Sequence, residues 1–425
     1  MERKPHVEVM LKTILTEFKA HVRLHCDYSL KVTMSIPDPT LENEILPMLS
    51  ERWASGPGQH LAEIHPRLKP ALQLASLFLT QDYPLRWFSH LTFGDRRLNT
   101  QGQRCLVNTA YSLSPEALST VKSNLQELGK VITLMFEPSG YDLRAWGRTY
   151  FDRTSMKFFH EFRDLDFPRA LSNKGKAPRV CIVMNRQYFM KFYRYIYPKD
   201  ASVSEKYRAA MMFTNTLVHE IAHAYYYWLH GPQDHHGEPL WSMVEKHAEL
   251  GFSWESHVLG RVLNPYRYIG DADFRFRFLT SIQLEEYSTE DDRQRLIGQF
   301  RGNSTAKFTK RDVNGEHRQW PRVNVHEFRG AKWYFSEGAT SVIAAIHAIP
   351  TRWIVNWFQQ DVWTQWQTVW TKSQQYTPPP LDHAFMLFYS QNDNWNQVLR
   401  PLHPSIPVDA KILRDHAKNT ASVQK

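Results

Sequence analysis

The stretch that most constrains this chain runs from residue 202 to residue 232. Ala210, Phe213, Leu217, Ile221, Ala224 and Trp228 recur there at alternating spacings of three and four, the signature of a helix with one buried stripe. Ser202 and Glu205 form a capping box, the serine taking a free backbone amide and the glutamate reaching back to the N-cap. Gly231-Pro232 is a stop signal, so the helix is predicted over Val203–His230. Met212, Thr216, His219, His223, Tyr226 and His230 fall on another face, which leaves one face to bury and one to look into a cleft.

Inside this helix lies His219-Glu220-Ile221-Ala222-His223, an H-E-x-x-H pattern. Residues four apart share a side of a helix, so both imidazoles can reach one ion, and the carboxylate of Glu220 can reach a water bound to it. A hydrolytic zinc site takes three protein ligands and keeps one position for water. The third ligand must therefore come from beyond the helix, and residues 234–241 and 245–255 supply the candidates. Glu249, 26 residues after His223, is the first choice, and His236, 13 residues after His223, is the alternative. Glu238 and Glu245 stand behind them. Glu255 is suited to orient a zinc-bound imidazole, since such histidines usually donate their other N–H to a carboxylate. His235 reads as the partner of His236 in a hydrated loop, and His230 and His247 read as surface residues.

Residues 219–241 resemble the SprT-like DNA–protein-crosslink proteases, in which H-E-x-x-H is followed, after a loop, by a His-Gly pair carrying the third histidine. That resemblance implies His236 as a ligand, although the family's downstream zinc-ribbon cysteines are absent here. The run Glu249-Leu250-Gly251-Phe252-Ser253-Trp254-Glu255 resembles the gluzincins, in which a glutamate on a later helix completes a His-His-Glu site; this implies Glu249. Together with Glu238-Pro239, it also resembles uncharacterised fungal proteins that carry a zincin motif. The expected fold is α+β and mostly helical: the resemblances imply the α+β core, and the flanking residues read as helical. A zincin-like core at 130–265, with a small sheet over the motif helix, would lie between mostly helical regions at 1–129 and 266–425.

The function expected from this pattern is peptide-bond hydrolysis by a zinc metallopeptidase acting on a peptide or protein, with zinc as cofactor and Glu220 as general base. Tyr266, Tyr268 and His257 are the residues considered for stabilising the oxyanion. Two other classes remain open: an inactive zincin-fold binding protein, and a SprT-like protease associated with nucleic acid.

Composition sets the bounds. With 425 residues, 42% of them hydrophobic and 13% aromatic, the chain can bury a large core. The net charge of +9 is dispersed, which favours a solubility role over nucleic-acid binding. Its densest basic stretch, 301–330, reads as a mobile surface loop. Cys26, Cys105 and Cys181 are odd in number and far apart, so no disulfide framework is expected and a reducing compartment fits. No secretory signal and no membrane-spanning run are visible, which places the expected location inside the cell, in cytoplasm or nucleus.

Elsewhere, helices are predicted within 6–35 and at 41–53, 68–79, 187–197, 290–300, 353–370 and 382–389. A further helix is predicted at 115–128, with Ser114 as N-cap and Gly129 closing it, and another at 239–259, broken near Gly251. Strands are predicted at 131–136 and 179–184. The second, just ahead of the motif helix, is expected to line the cleft and to hold an extended peptide by strand addition.

Overall fold

The computed structural model describes residues 36–54, 61–141, 143, 145–151, 156, 179–231, 237–266, 276, 278–289, 291–292, 295–296, 329–334, 342–380, 386–390 and 398–400. The chain is a mixed α+β protein in which helices predominate and the sheets are small. Among the described residues, no helix is long and apolar enough to cross a membrane. The helix predicted within 6–35 lies outside the described residues.

In chain order, the helices that build the site region are α1 (Leu61–Thr80), α2 (Asp82–Phe93), α3 (Pro115–Val131), α4 (Val203–His230) and α5 (Leu250–Leu259). The motif helix, α4, has the predicted bounds. The Ser202 hydroxyl accepts the Glu205 N–H at 3.2 Å and the Glu205 carboxylate accepts the Ser202 N–H at 2.8 Å. Gly231 ends it with φ 78, a left-handed value that glycine adopts without strain. The helix is not two-faced as expected. Met212, Thr216, His219 and Tyr226 are as buried as the apolar stripe, because helices pack on one side and a sheet on another. One apolar cluster runs through it from Leu41 to Trp370 and draws residues from the N-terminal, middle and C-terminal parts of the chain.

The sheet beside α4 has three strands in the order β3 (Ile132–Phe136), β5 (Val180–Met184), β4 (Gly147–Tyr150). β3 runs parallel to β5 and β4 runs antiparallel to it. Period-two alternation divides its faces. Ile132, Leu134, Phe136, Val180, Ile182 and Met184 join the core with α4. Met135, Cys181, Val183 and Tyr150 form a second apolar patch on the far side. β5 is thus the central strand, with both backbone edges already paired. Strand addition cannot occur there as expected; among the described residues, β4 lies at one edge of the sheet and β3 at the other.

Ahead of this sheet, β1 (Asp95–Leu98) and β2 (Arg104–Val107) form a hairpin. The backbone of β2 grips Leu240: the Leu106 N–H donates to the Leu240 carbonyl at 3.0 Å, and the Leu240 N–H donates to the Arg104 carbonyl at 2.9 Å. A five-stranded antiparallel sheet follows, in the order β10-β9-β8-β7-β6, from Leu263–Tyr266 (β6), Phe278–Glu286 (β7), Val342–Ala348 (β8), Met386–Ser390 (β9) and Val398–Arg400 (β10).

Several local expectations are corrected. The α1 helix is longer than 68–79 and holds both Pro66 and Pro70. Within the expected helix 41–53, only Pro47–Ser50 is helical. Gly129 lies inside α3, which passes straight into β3. Residues 187–197 wind as two π-helical turns, Arg186–Met190 and Phe192–Ile196. The expected helix at 239–259 begins only at Leu250, and Gly251 sits in its first turn. The Trp-rich stretch splits into Thr351–Asn356 and Gln360–Ser373. Met386–Ser390 is a strand where a helix was expected; a short apolar run satisfies either pattern.

Candidate metal centre

α5 crosses α4 at the motif, and the contact is made close by a glycine. A Cβ on Gly251 would stand 2.3 Å from Nε2 of His219, so no larger residue fits without moving the imidazole. Trp254, fully buried, anchors α5 by meeting Phe78 edge-on at 5.4 Å. Phe252 meets the His219 ring in a T-shaped contact at 4.9 Å.

Glu249 is the N-cap of α5. Its Oε2 accepts the Phe252 N–H, a common use of an acidic group at a helix start. Its Oε1 is left to face the two histidines. It lies 3.2 Å from His219 Nε2 and 2.8 Å from His223 Nε2, and the two Nε2 atoms are 3.3 Å apart. These three side chains form the group among the described residues with the spacing to hold a metal ion.

Each imidazole is held from behind. His219 Nδ1 lies 2.8 Å from Glu255 Oε1, and His223 Nδ1 lies 2.5 Å from Glu238 Oε1. Donating the Nδ1 protons to these carboxylates turns both Nε2 lone pairs toward Glu249. The carboxylates are themselves fixed. Glu255 is fully buried and also accepts the Leu263 N–H at 3.2 Å and the Arg329 guanidinium. Glu238 accepts the Leu250 N–H at 3.0 Å through its other oxygen. The loop carrying Glu238 is pinned by the β2 grip on Leu240, by Arg104 donating to the Gly237 carbonyl at 2.9 Å, and by Tyr226 donating to the same oxygen at 3.2 Å.

The donor set fits a tetrahedral ion. Bonds of zinc length at tetrahedral angles separate the donors by about 3.3 Å, and the observed separations are 3.3, 3.2 and 2.8 Å. Two imidazole lone pairs and a carboxylate oxygen converging on one point also require a cation or protons between them. In the metal-free protein, protons fill that role. Burial, with Arg329, works against a charge on His219, but Glu249 and Glu255 together hold the imidazole above its ordinary value. Burial likewise opposes a charged His223, and Glu238 with Glu249 holds it well above. Burial would raise Glu249, yet His219 and His223 together hold its carboxyl well below the usual range.

Glu220 points to the opposite wall. It is 6% exposed, and its Oε2 accepts the Thr149 hydroxyl of β4 at 2.8 Å. A Cβ on Gly147 would lie 2.8 Å from its Cγ, so the strand and the carboxylate are in direct contact.

Other sequence candidates lie elsewhere. His236 and His235 are outside the described residues, as are Tyr268 and the side chain of Tyr266. Glu238 is no third donor in this arrangement, since it faces Nδ1 rather than Nε2 of His223. Glu245 accepts the Trp241 N–H at 2.7 Å and bonds Ser253, a half-buried carboxyl raised to about 7 by desolvation. His257 sits two residues past Glu255, about 200° round the helix, between Trp241 at 4.8 Å and Tyr376 at 5.7 Å. It packs in this aromatic layer rather than against the motif, and burial lowers it to about 4. His230 bonds Arg96 at 2.9 Å. The basic stretch 301–330 was expected to be a surface loop, yet its Arg329 is nearly buried against Glu255; residues 301–328 lie outside the described residues.

Sequence reasoning missed Thr149, Gly147 and Arg329. Gly251 does carry a legible signal, a glycine two residues after a ligand candidate, and its place in the structure is a close approach to His219 rather than a helix break. No protein-family model, curated protein or solved structure matches this chain.

Proposed function

We infer that this chain is a zinc-dependent hydrolase of the H-E-x-x-H type, built on a zincin-like core and cleaving peptide bonds. The observation that carries this reading is the convergence of His219 Nε2, His223 Nε2 and Glu249 Oε1, with each imidazole's other nitrogen held by its own carboxylate. That arrangement supports Glu249 as the third ligand.

Zinc in such a site supplies Lewis acidity, polarising the scissile carbonyl and making a water nucleophilic near neutral pH. The residues of the chain do the rest. Glu255 and Glu238 fix the tautomer of the two histidines, so that Nε2 is the donor atom in each. Glu220, tied to β4 by one oxygen, takes a proton from the attacking water with the other and passes it to the leaving nitrogen. An extended substrate fits along β4, the edge strand beside Glu220, where backbone pairing would carry affinity without demanding one sequence.

The test is zinc content and cleavage of fluorescein-labelled casein by wild type and by Glu220→Gln. One zinc per chain in both, with cleavage lost only in the variant, is the expected result. Equal cleavage by the two proteins refutes the assignment of Glu220.

A further inference from the structure

We propose that Thr149 is a positioning residue for Glu220: its hydroxyl binds one carboxylate oxygen to the edge strand and thereby aims the other at the reacting water. The inference rests on the hydrolase reading above and adds a residue to its machinery.

The geometry is specific. Thr149 Oγ1 stands 2.8 Å from Glu220 Oε2 and 3.0 Å from the Glu220 backbone carbonyl. A hydroxyl has one proton, so it serves these two acceptors in turn or shares it between them. Either way, the side chain's end and its root are tied to the same atom. Gly147, two residues earlier on the same face of β4, closes the other side. Its missing Cβ leaves room for Glu220 Cγ at 2.8 Å and for Oε1 at 3.0 Å from the position a Cβ would take. The carboxylate is thus laid along the strand, with Oε2 occupied by the hydroxyl.

The strand making this contact is itself fixed. β4 is registered on β5, with Gly147 opposite Met184 and Thr149 opposite Ile182. Asn185 secures the entry to β4, its N–H donating to the Trp146 carbonyl at 3.0 Å and its side-chain amide donating to the Ala145 carbonyl at 2.8 Å. Trp146 stacks on Tyr188 at 4.1 Å. A glutamate left to itself has three rotatable bonds; here its orientation is set before substrate arrives, the kind of placement on which rate depends steeply.

The variants are Thr149→Val, which keeps the shape and removes the hydroxyl, and Thr149→Ser, which restores it. Each is made in the full chain, loaded with zinc and assayed on fluorescein-labelled casein, with zinc content and Tm measured alongside. For Thr149→Val we expect one zinc per chain, unchanged Tm, KM within about twofold, and kcat reduced by about 10- to 100-fold. Thr149→Ser should return kcat to within about threefold of wild type. A merely structural tie would instead move Tm and zinc content, with kcat following the folded fraction. Thr149→Val with wild-type kcat overturns the proposal. Crystal structures of wild type and Thr149→Val give a readout independent of turnover: one Glu220 rotamer against β4 in the former, several in the latter. An unchanged single rotamer in Thr149→Val overturns the proposal whether or not casein is cleaved. Absence of cleavage by zinc-loaded wild type counts against the hydrolase reading alone, and the rotamers then decide the role of Thr149.

Discussion

Two histidine–glutamate clusters flank the same helix and behave in opposite ways. On one side of α5, His219, His223 and Glu249 face one another, and Glu255 and Glu238 stand behind the rings. On the other side, His90 and His257 pack against Trp241, and Glu245 is half-buried beside Ser253. In the first cluster the histidines are raised and the glutamate is lowered, because opposite charges meet. In the second, burial without a counter-charge lowers His257 to about 4 and raises Glu245 to about 7, so in both groups burial disfavours the charged form. The residue types are the same; what differs is whether each ring nitrogen has a carboxylate. Of the two, the first has the donor spacing that could hold a metal ion in place of protons.

The largest expected effect is at Glu249. Glu249→Ala should leave less than about a tenth of a zinc per chain, a greater loss than the 10- to 100-fold typical of partners behind a ligand. Gly251→Ala, read by the same zinc analysis, should also lose the metal, since the added methyl takes the place of the His219 ring. Next come Glu238→Gln and Glu255→Gln. Each should weaken zinc binding by about 10- to 100-fold in a competition titration with a chelator. His257→Phe belongs to the opposite cluster and should change zinc affinity by less than about twofold. A larger change there would break the comparison.

Much of the first cluster was legible because it is local. The helix period put His219 and His223 one turn apart, and the capping residues Ser202 and Glu205 fixed where the helix begins. Glu249 and Glu255 were readable as acidic groups on a later helix. Their expected roles, Glu249 toward the ion and Glu255 behind an imidazole, agree with Glu249 facing the two Nε2 atoms and Glu255 facing His219 Nδ1, but the crossing of α5 over α4 that produces this is not a local pattern. The role of Glu238 depends on Leu240 being gripped by β2, a pairing between distant segments that no local pattern announces. Arg329 and Thr149 arrive by the same kind of long-range placement. The β strands show the same divide. Ile132–Phe136 and Val180–Met184 were visible as apolar runs, but their order, with β4 at the edge, comes from pairing rather than composition.

A smaller effect, in pH, sharpens the contrast. In zinc-free protein, His219 and His223 have raised folded-state values. Their contribution to stability is fully present below about 6.5, the unfolded value, and is lost as pH rises through the raised values. His257 has the opposite sign. Its contribution is present above about 6.5 and is lost as pH falls through about 4. Urea unfolding of the zinc-free protein against pH should therefore show an acid loss that His257→Phe reduces. Zinc must displace the protons on His219 and His223, so apparent zinc affinity should fall as pH falls, with protons released on binding in a titration calorimeter.

The most direct measurement is anomalous X-ray scattering at the zinc edge from zinc-loaded crystals. One peak within about 2.0–2.2 Å of His219 Nε2, His223 Nε2 and Glu249 Oε1 is the predicted result. A peak bound without Glu249, or no peak between the two motif histidines, would contradict it.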